Sequence, residues 1–139
     1  MLEKFFKKTE KKQENDKILV VSLLVHAAKI DDNYTEVEKN IIKKAIMDLN
    51  QTNMTEAEEV LNNAEKKEEE SNQIIEFTKE IKKSSMEFRH KIIEILWKIV
   101  YSDRTTDMYE SNLIRRVCGL LYVSNKDSGK IRLKVQNLK

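Results

Sequence analysis

The most restrictive feature of this sequence is its shortage of turn-forming residues: the 139-residue chain has no proline and only two glycines, Gly119 and Gly129. A sheet protein needs turn residues about every 8 to 12 positions, and glycine and proline supply most of them. Helices joined by short polar loops need far fewer. The length is typical of one domain that can bury a core. We therefore predict a single all-α domain.

Charge and cysteine content narrow the possible functions. Charged residues make up 36% of the chain, but 26 basic side chains nearly balance 24 acidic ones, and the formal net charge is +2. This balance predicts no nucleic-acid partner. The single cysteine, Cys118, excludes an internal disulfide bond and a cysteine-based zinc site. Its apolar neighbours over residues 117–121 indicate a small core residue.

The N-terminal segment predicts location and domain limits. No stretch approaches the roughly 20 apolar residues of a membrane span, and the first residues are too polar for a signal peptide. We therefore expect a cytoplasmic protein, with a basic segment over residues 1–14 and a helical domain over residues 15–139. Five lysines surround Phe5 and Phe6 in the basic segment, which suits either a solvated terminus or a peripheral contact with anionic lipid.

Two segments are apolar enough to be the central helices. Residues from Asp16 to Ile30 are apolar nearly all round, as expected of a helix at the centre of a bundle. A second such helix is predicted to open at Ser84-x-x-Glu87, a capping-box pattern, and to run through Val100. A short amphipathic piece over residues 74–81 precedes it.

Amphipathic helices are predicted from apolar stripes that follow capping boxes. Thr35-x-x-Glu38 opens one that ends near Asn50, and Thr55-x-x-Glu58 opens another whose charged run, residues 65–70, is expected to be solvated. The stripe of the first contains Val37, Ile41, Ile42, Ala45, Ile46 and Leu49.

The C-terminal third is predicted to contain one more helix. Asp107-x-x-Glu110 opens it, and it is expected to continue through Leu121. Residues 125–129 are predicted to form a turn, and residues 130–139 to be basic and weakly structured. The whole pattern predicts a bundle of about six to seven helices.

An internal repeat relates the two halves. A shift of 72 positions (110 − 38 = 72) lays residues 20–47 over residues 92–119 without a gap. Each half then reads as a buried helix, an acidic loop and an amphipathic helix, which predicts two pseudo-repeated helical hairpins. The identical pairs are Leu24/Leu96, Asp31/Asp103, Glu38/Glu110, Asn40/Asn112 and Ile42/Ile114.

Both loops carry the pattern Asp-x-(Asn/Thr)-x-(Thr/Asp)-x-x-Glu, from Asp31 to Glu38 and from Asp103 to Glu110. A buried helix that ends in small residues, an acidic loop and a glutamate that opens the next helix resemble the TerB-like tellurite-resistance family. The glycine that often follows the loop aspartate is replaced here by Asp32 and Arg104. The resemblance implies an all-helical domain, a context of tellurite resistance and stress response, and acidic residues that bind a divalent metal, without a catalytic mechanism.

The acidic loops offer hard oxygen donors of the kind that calcium and magnesium prefer. The spacing does not match an EF-hand, which needs a glycine at its sixth position and an acid at its twelfth. A purely structural alternative remains, because Glu38 and Glu110 are capping-box partners. Asp31 and Asp103 are not needed for capping and are the most informative positions. The candidate metal ligands are Asp31, Glu38, Asp103, Asp107 and Glu110.

Enzymatic activity is not predicted, since the sequence shows no nucleophile–base pair or phosphate-binding loop. Catalysis would require a cleft where His26, Tyr101 or Tyr109 meets several carboxylates; His26 is otherwise expected at the boundary of the core and His90 in solvent. The first hypothesis is a helical module that binds a divalent cation or a basic partner. The alternative is a co-chaperone-like protein-interaction scaffold without metal, which uses an apolar groove to hold an unknown protein partner.

Overall fold

A computed structural model describes residues 16–30, 34–71, 73–103 and 108–137, and within these ranges the regular structure is entirely helical. The prediction of an all-α bundle is confirmed. Two single-turn 3₁₀ helices, Ile81–Lys83 and Tyr101–Asp103, flank the fifth α-helix. The seven α-helices of the described residues are α1 (16–28), α2 (Glu36–Asn50), α3 (Met54–Glu70), α4 (Ile74–Thr78), α5 (Met86–Val100), α6 (Met108–Leu121) and α7 (Asn125–Asn137).

Helices α1 and α5 occupy the core, as predicted. Every residue of α1 from Val20 to Val25 is buried, and the hydroxyl of Ser22 donates to the carbonyls of Ile18 and Ala64. Helix α5 packs against α2, α6 and α7. A helix that is apolar on every side can bury its side chains only when other helices surround it.

The sequence repeat corresponds to a structural one. Helices α2, Glu36–Asn50, and α6, Met108–Leu121, occupy equivalent parts of the repeat. Equivalent positions are also equally buried: Ile42 and Ile114 are 0% and 1% exposed. The isolated cysteine, Cys118, lies in the core, and burial raises the pKa of its thiol. Its predicted structural role is confirmed.

Three helix starts were predicted from capping boxes within described residues, and one prediction is right. Thr35 caps α2 together with Glu38, but Asn53 rather than Thr55 caps α3, and Ser85 rather than Ser84 caps α5. Asn53 accepts a hydrogen bond from Glu56 N at 2.9 Å, so the helix begins two residues earlier than expected. Serine, threonine and asparagine cap comparably, so composition alone does not select one of several neighbours.

The C-terminal prediction was wrong, because residues 125–137 form the helix α7 instead of a turn and a weakly structured tail. Ser124 starts it by accepting a hydrogen bond from Asp127 N at 3.0 Å. The helix is short of apolar residues, yet it packs on α5 through Val135, which is 2% exposed, and through a hydrogen bond from Trp97 Nε1 to Ser128 Oγ at 3.2 Å. Tertiary packing stabilises this helix, and helix propensity does not account for such packing.

Two apolar residues of predicted stripes face outward. Val37 of α2 is 56% exposed and Ile75 of α4 is 67% exposed, whereas Ile42, Ala45 and Ile46 are buried as expected. The predicted basic segment, residues 1–14, lies outside the described residues. None of the described helices has the length and apolar character to cross a membrane.

Candidate functional site

The described residues place the predicted metal ligands unequally. Glu38 lies in the first turn of α2 with its side chain described. Asp103 ends a 3₁₀ helix and Glu110 lies in the first turn of α6, but their side chains fall outside the described part. Asp31 and Asp107 lie outside it altogether. The metal-binding roles of these residues therefore stay predictions.

Glu38 is a buried carboxylate at the start of α2. It is 4% exposed, and its Oε1 accepts hydrogen bonds from Thr35 N at 2.8 Å and from Thr35 Oγ1 at 3.0 Å. Thr35 Oγ1 in turn accepts from Glu38 N at 3.1 Å. This reciprocal pair confirms the capping box. A structural role is thus established for Glu38, while its role as a metal ligand is still a proposal.

A second buried carboxylate, Glu68 of α3, was not predicted. Its side chain is 9% exposed; Oε1 lies 3.3 Å from His26 Nδ1, and Oε2 accepts a hydrogen bond from Lys29 Nζ at 2.9 Å. The prediction that residues 65–70 form one solvated face was wrong at this position. A usable signal was present, because Ala57, Leu61, Ala64 and Glu68 follow one another at spacings of four, three and four, the register of a buried helix stripe.

Tyr34, the residue before the cap Thr35, lies within electrostatic reach of both carboxylates. Burial raises the pKa of its hydroxyl, and negative charge raises it further; in decreasing order, the contributing carboxylates are Glu65, Glu38, Glu36 and Glu68. They come from both α2 and α3. The hydroxyl is buried and finds no hydrogen-bond partner among the described groups. The surroundings of Tyr34 are therefore strongly acidic.

Two lysines partly balance this charge. Lys39 Nζ lies 4.9 Å and Lys29 Nζ 5.9 Å from the centre of the Tyr34 ring, where a cation is attracted by the face of an aromatic system. Four carboxylates against two ammonium groups leave a net negative charge. We call this group, which consists of Tyr34, Glu36 and Glu38 of the first hairpin and Glu65 and Glu68 of the adjoining α3, the acidic end of the first hairpin.

The described residues of the acidic end do not by themselves form a complete metal site. Among them, no three histidine, cysteine, aspartate or glutamate side chains lie together in an arrangement that could hold an ion. The chemistry of the donors fits calcium or magnesium, since both take carboxylate oxygens. A complete site therefore needs ligands in addition to Glu38, and Asp31 is the first candidate.

An apolar groove lies on another face of the bundle, between α2, α5 and α7. It encloses about 630 Å³. Val37, Ile41, Leu49, Ile95 and Val135 supply its apolar surface. Charged residues accompany them, namely Lys44, Asp48, Lys91, Glu94 and Lys98. The outward position of Val37 thus contributes to a groove that its sequence pattern did not predict.

The fold and the acidic end define a class of protein, an all-α module made of two repeated helical hairpins with one buried carboxylate, Glu38, in the first hairpin and another, Glu68, on the adjoining α3. The family model described as tellurite resistance protein TerB matches residues 17–133. The chain therefore belongs to the TerB family. No curated protein and no solved structure gives a significant match.

Proposed function

We propose that this chain is a non-enzymatic TerB-family binding module whose acidic end binds a divalent cation, calcium or magnesium, in a tellurite-resistance or stress context. The observation that carries the proposal is the buried carboxylate of Glu38, seven positions after Asp31, in surroundings negative enough to raise the pKa of the Tyr34 hydroxyl. Lys29 and Lys39 offset part of the negative charge around this hydroxyl. A divalent cation bound by Asp31 and Glu38 would offset the remainder.

The ligands in the first hairpin would be Asp31 and Glu38. Asp31 is not part of the capping box, so its carboxylate would be available for a role other than starting α2. Glu68 is less suited, because His26 and Lys29 already hold its two oxygens. By the sequence repeat, Asp103, Asp107 and Glu110 would supply the equivalent site of the second hairpin.

The cation proposal is tested by thermal unfolding of chelator-treated protein during titration with calcium or magnesium. A ligand that binds only the native state stabilises it by about 2.7 kcal/mol at a concentration of 100 Kd. We expect a saturable rise in Tm for the wild type that is lost in Asp31→Asn/Asp103→Asn. Asp48→Asn is the matched control, since Asp48 is exposed at the far end of α2.

Glu38→Gln is a poor probe of this site, because it would also weaken the capping box and lower stability without metal. The cation proposal fails if millimolar calcium and magnesium leave the Tm of the wild type unchanged. It also fails if Asp31→Asn/Asp103→Asn retains the full rise. In either case the acidic residues would serve only as caps and partners of neighbouring side chains.

A second candidate function is a protein-interaction scaffold without metal, and the groove between α2, α5 and α7 favours it. The groove exposes Val37 beside a long apolar surface, a combination typical of sites that receive an amphipathic helix. Three lysines line it against two acids, and one of the acids, Glu94, is paired with Lys134 at 3.1 Å. We therefore propose an amphipathic helix with acidic flanks as its occupant.

This candidate is tested with a synthetic helical peptide that carries a leucine stripe flanked by glutamates. We expect chemical-shift changes in α2, α5 and α7 on addition of the peptide, and their loss in Val37→Glu. A peptide of the same composition in scrambled order is the control. Equal binding of both peptides, or undiminished binding to Val37→Glu, would argue against the groove.

A further inference from the structure

Helix α7 presents little apolar surface to the rest of the bundle. Of its 13 residues, Ser128 and Val135 are buried, and Ile131 packs partly buried against the core. Its outer positions, such as Lys130, are exposed. Helix α1, by contrast, buries every residue from Val20 to Val25. The apolar contribution that holds α7 in place is therefore small.

Two aromatic side chains of α5 receive polar side chains of α7. Trp97 and Tyr101 stack with their ring centroids 5.9 Å apart, and the guanidinium of Arg132 lies 5.1 Å from the Trp97 ring and 5.9 Å from the Tyr101 ring. Trp97 Nε1 donates a hydrogen bond to Ser128 Oγ at 3.2 Å. Arg132 Nε donates to the Tyr101 hydroxyl, and so does Gln136 Nε2 at 2.8 Å. Arg132 is thus a side chain of α7 that contacts both aromatic rings.

Two ion pairs at the edge of the α7 interface add little to its stability. Lys134 Nζ lies 3.1 Å from Glu94 Oε1, and the lysine side chain is 67% exposed. His90 Nε2 lies 3.7 Å from Asp127 Oδ2, and the aspartate side chain is 43% exposed. Exposed ion pairs contribute little because water and salt screen them. An element held by few apolar contacts opens locally at a lower free-energy cost than global unfolding, and we expect this of α7.

The junction with α6 provides a fixed point for such an opening. Arg89 Nη1 donates to the carbonyl oxygen of Leu121, the last residue of α6, at 2.8 Å, and Val123 is 5% exposed. These contacts hold the end of α6 without any residue of α7. Ser124, the exposed cap of α7, comes next in the chain. Helix α7 can therefore move about Ser124 while the other helices keep their packing.

Movement of α7 would enlarge the groove between α2, α5 and α7. Val135 of α7 lines that groove together with Ile41 of α2 and Ile95 of α5. Trp97 and Tyr101, which are 5% and 8% exposed, lie against α7 on the same helix as Ile95. Detachment of α7 therefore removes one wall of the groove and exposes both aromatic rings. The result is a longer apolar surface along α5.

We propose that α7 is a displaceable cover of α5: it detaches about Ser124, and the amphipathic helix with acidic flanks takes its place against Trp97 and Tyr101. This inference rests on the scaffold function proposed above as the second candidate. Lys91 and Lys98 belong to α5, so they remain at the groove when α7 leaves and meet the acidic flanks. Because the closed α7 occupies the place of the partner helix, the apparent affinity is the intrinsic affinity multiplied by the open fraction.

Hydrogen exchange of the full-length chain tests the cover without any partner. A detached helix of 13 residues is marginal in water, so its amides exchange whenever α7 opens. We expect amide protection in α7 to be lower than in α5 by about tenfold or more. Arg132→Met removes the cation from both aromatic rings and should lower the protection of α7 several-fold further, with α1 and α3 unchanged.

Lys130→Met is the matched control for Arg132→Met. It removes the same charge from an exposed position of the same helix, and arginine, lysine and methionine have similar helix propensities. The protection of α7 in Lys130→Met should therefore equal that of the wild type.

The peptide with a leucine stripe flanked by glutamates then tests the replacement of one helix by another. We expect the peptide to lower amide protection in α7 and to raise it in α5. Arg132→Met should bind the peptide several times more tightly than Lys130→Met, because α7 is open in a larger fraction of its molecules. The two variants have the same net charge, so the difference does not arise from long-range attraction of the glutamates. The scrambled peptide should change neither helix.

Three results would overturn the proposal, and they separate it from the scaffold function. Amides of α7 as protected as those of α5, or equal protection of α7 in the two variants, would show that α7 is no displaceable cover. Peptide binding that raises the protection of α7 would make this helix a fixed wall of the groove, and the scaffold function would stand. Absence of peptide binding to the wild type and to both variants would refute the scaffold function and, with it, the replacement of α7 by a partner helix.

Discussion

Glu68 provides the sharpest test of how α3 is held against the first hairpin, because its neighbour Glu69 has the same side chain in a different environment. Glu68 is 8% exposed and contacts His26 and Lys29, whereas Glu69 is exposed. Glu68→Gln keeps the size of the side chain and one acceptor oxygen but removes the charge. It leaves no cavity, so the measured change reports the ionic contacts.

The size of the effect follows from the exposure of the partners. A hydrogen bond between charged groups contributes about 1.5 to 3 kcal/mol when buried, and an exposed ion pair about 0 to 1 kcal/mol. The Lys29 side chain is 30% exposed and the His26 side chain 21%, so both can turn partly toward water when their acceptor is weakened. We therefore expect Glu68→Gln to lower the free energy of unfolding by about 1 to 2 kcal/mol.

Urea unfolding measures this change directly, and thermal unfolding provides a second estimate. For a chain of 139 residues, the expected loss corresponds to a fall in Tm of about 3 to 7 °C. Glu69→Gln should leave both quantities unchanged within error. Equal effects of the two substitutions would refute the view that Glu68 is a buried structural carboxylate.

Two further predictions concern the pKa of Tyr34 and the start of α3. Because the pKa of Tyr34 is raised above its ordinary value of 10.0, its contribution to stability is fully present below pH 10 and is lost as the pH rises further. Tyr34→Phe should lessen that alkaline loss in urea unfolding; because the hydroxyl has no hydrogen-bond partner among the described groups, stability at pH 7 should stay unchanged or rise by up to about 1 kcal/mol. Tyr122→Phe, at an exposed site, should do neither. Asn53→Ala should lower the free energy of unfolding by about 1 kcal/mol through loss of the α3 cap, while Thr55→Ala should change it little. A larger loss in Thr55→Ala than in Asn53→Ala would show that Thr55 is the cap.

The acidic end shows where sequence reasoning succeeds and where it stops. The box formed by Thr35 and Glu38 was predictable because both partners lie within one turn of the chain. The contact of Glu68 with His26 and Lys29 joins residues that are 42 and 39 positions apart. No local sequence pattern specifies which residue of another helix a carboxylate will contact. The register of Ala57, Leu61 and Ala64 could have indicated only that position 68 faces inward.

The choice among caps shows the same limit at shorter range. Asn53, Thr55, Ser84 and Ser85 all have side chains that can accept a hydrogen bond from a helix N-terminus, so the sequence offered alternatives within two residues of each other. In the structure the side chains of Asn53 and Ser85 accept that hydrogen bond. Existence and type of a helix are thus more predictable than its first residue.

The sequence alone determined the helical class, the two apolar central helices, the repeat of 72 positions and the family, because each of these is encoded in periodicity, in the scarcity of glycine and proline, or in spacing along the chain. The tertiary structure decided that α7 is a helix, that Glu68 is buried, and that Val37 faces a groove. Those outcomes depend on which surfaces of distant helices meet, and the free energy of such contacts is a property of the packed bundle that no segment carries by itself.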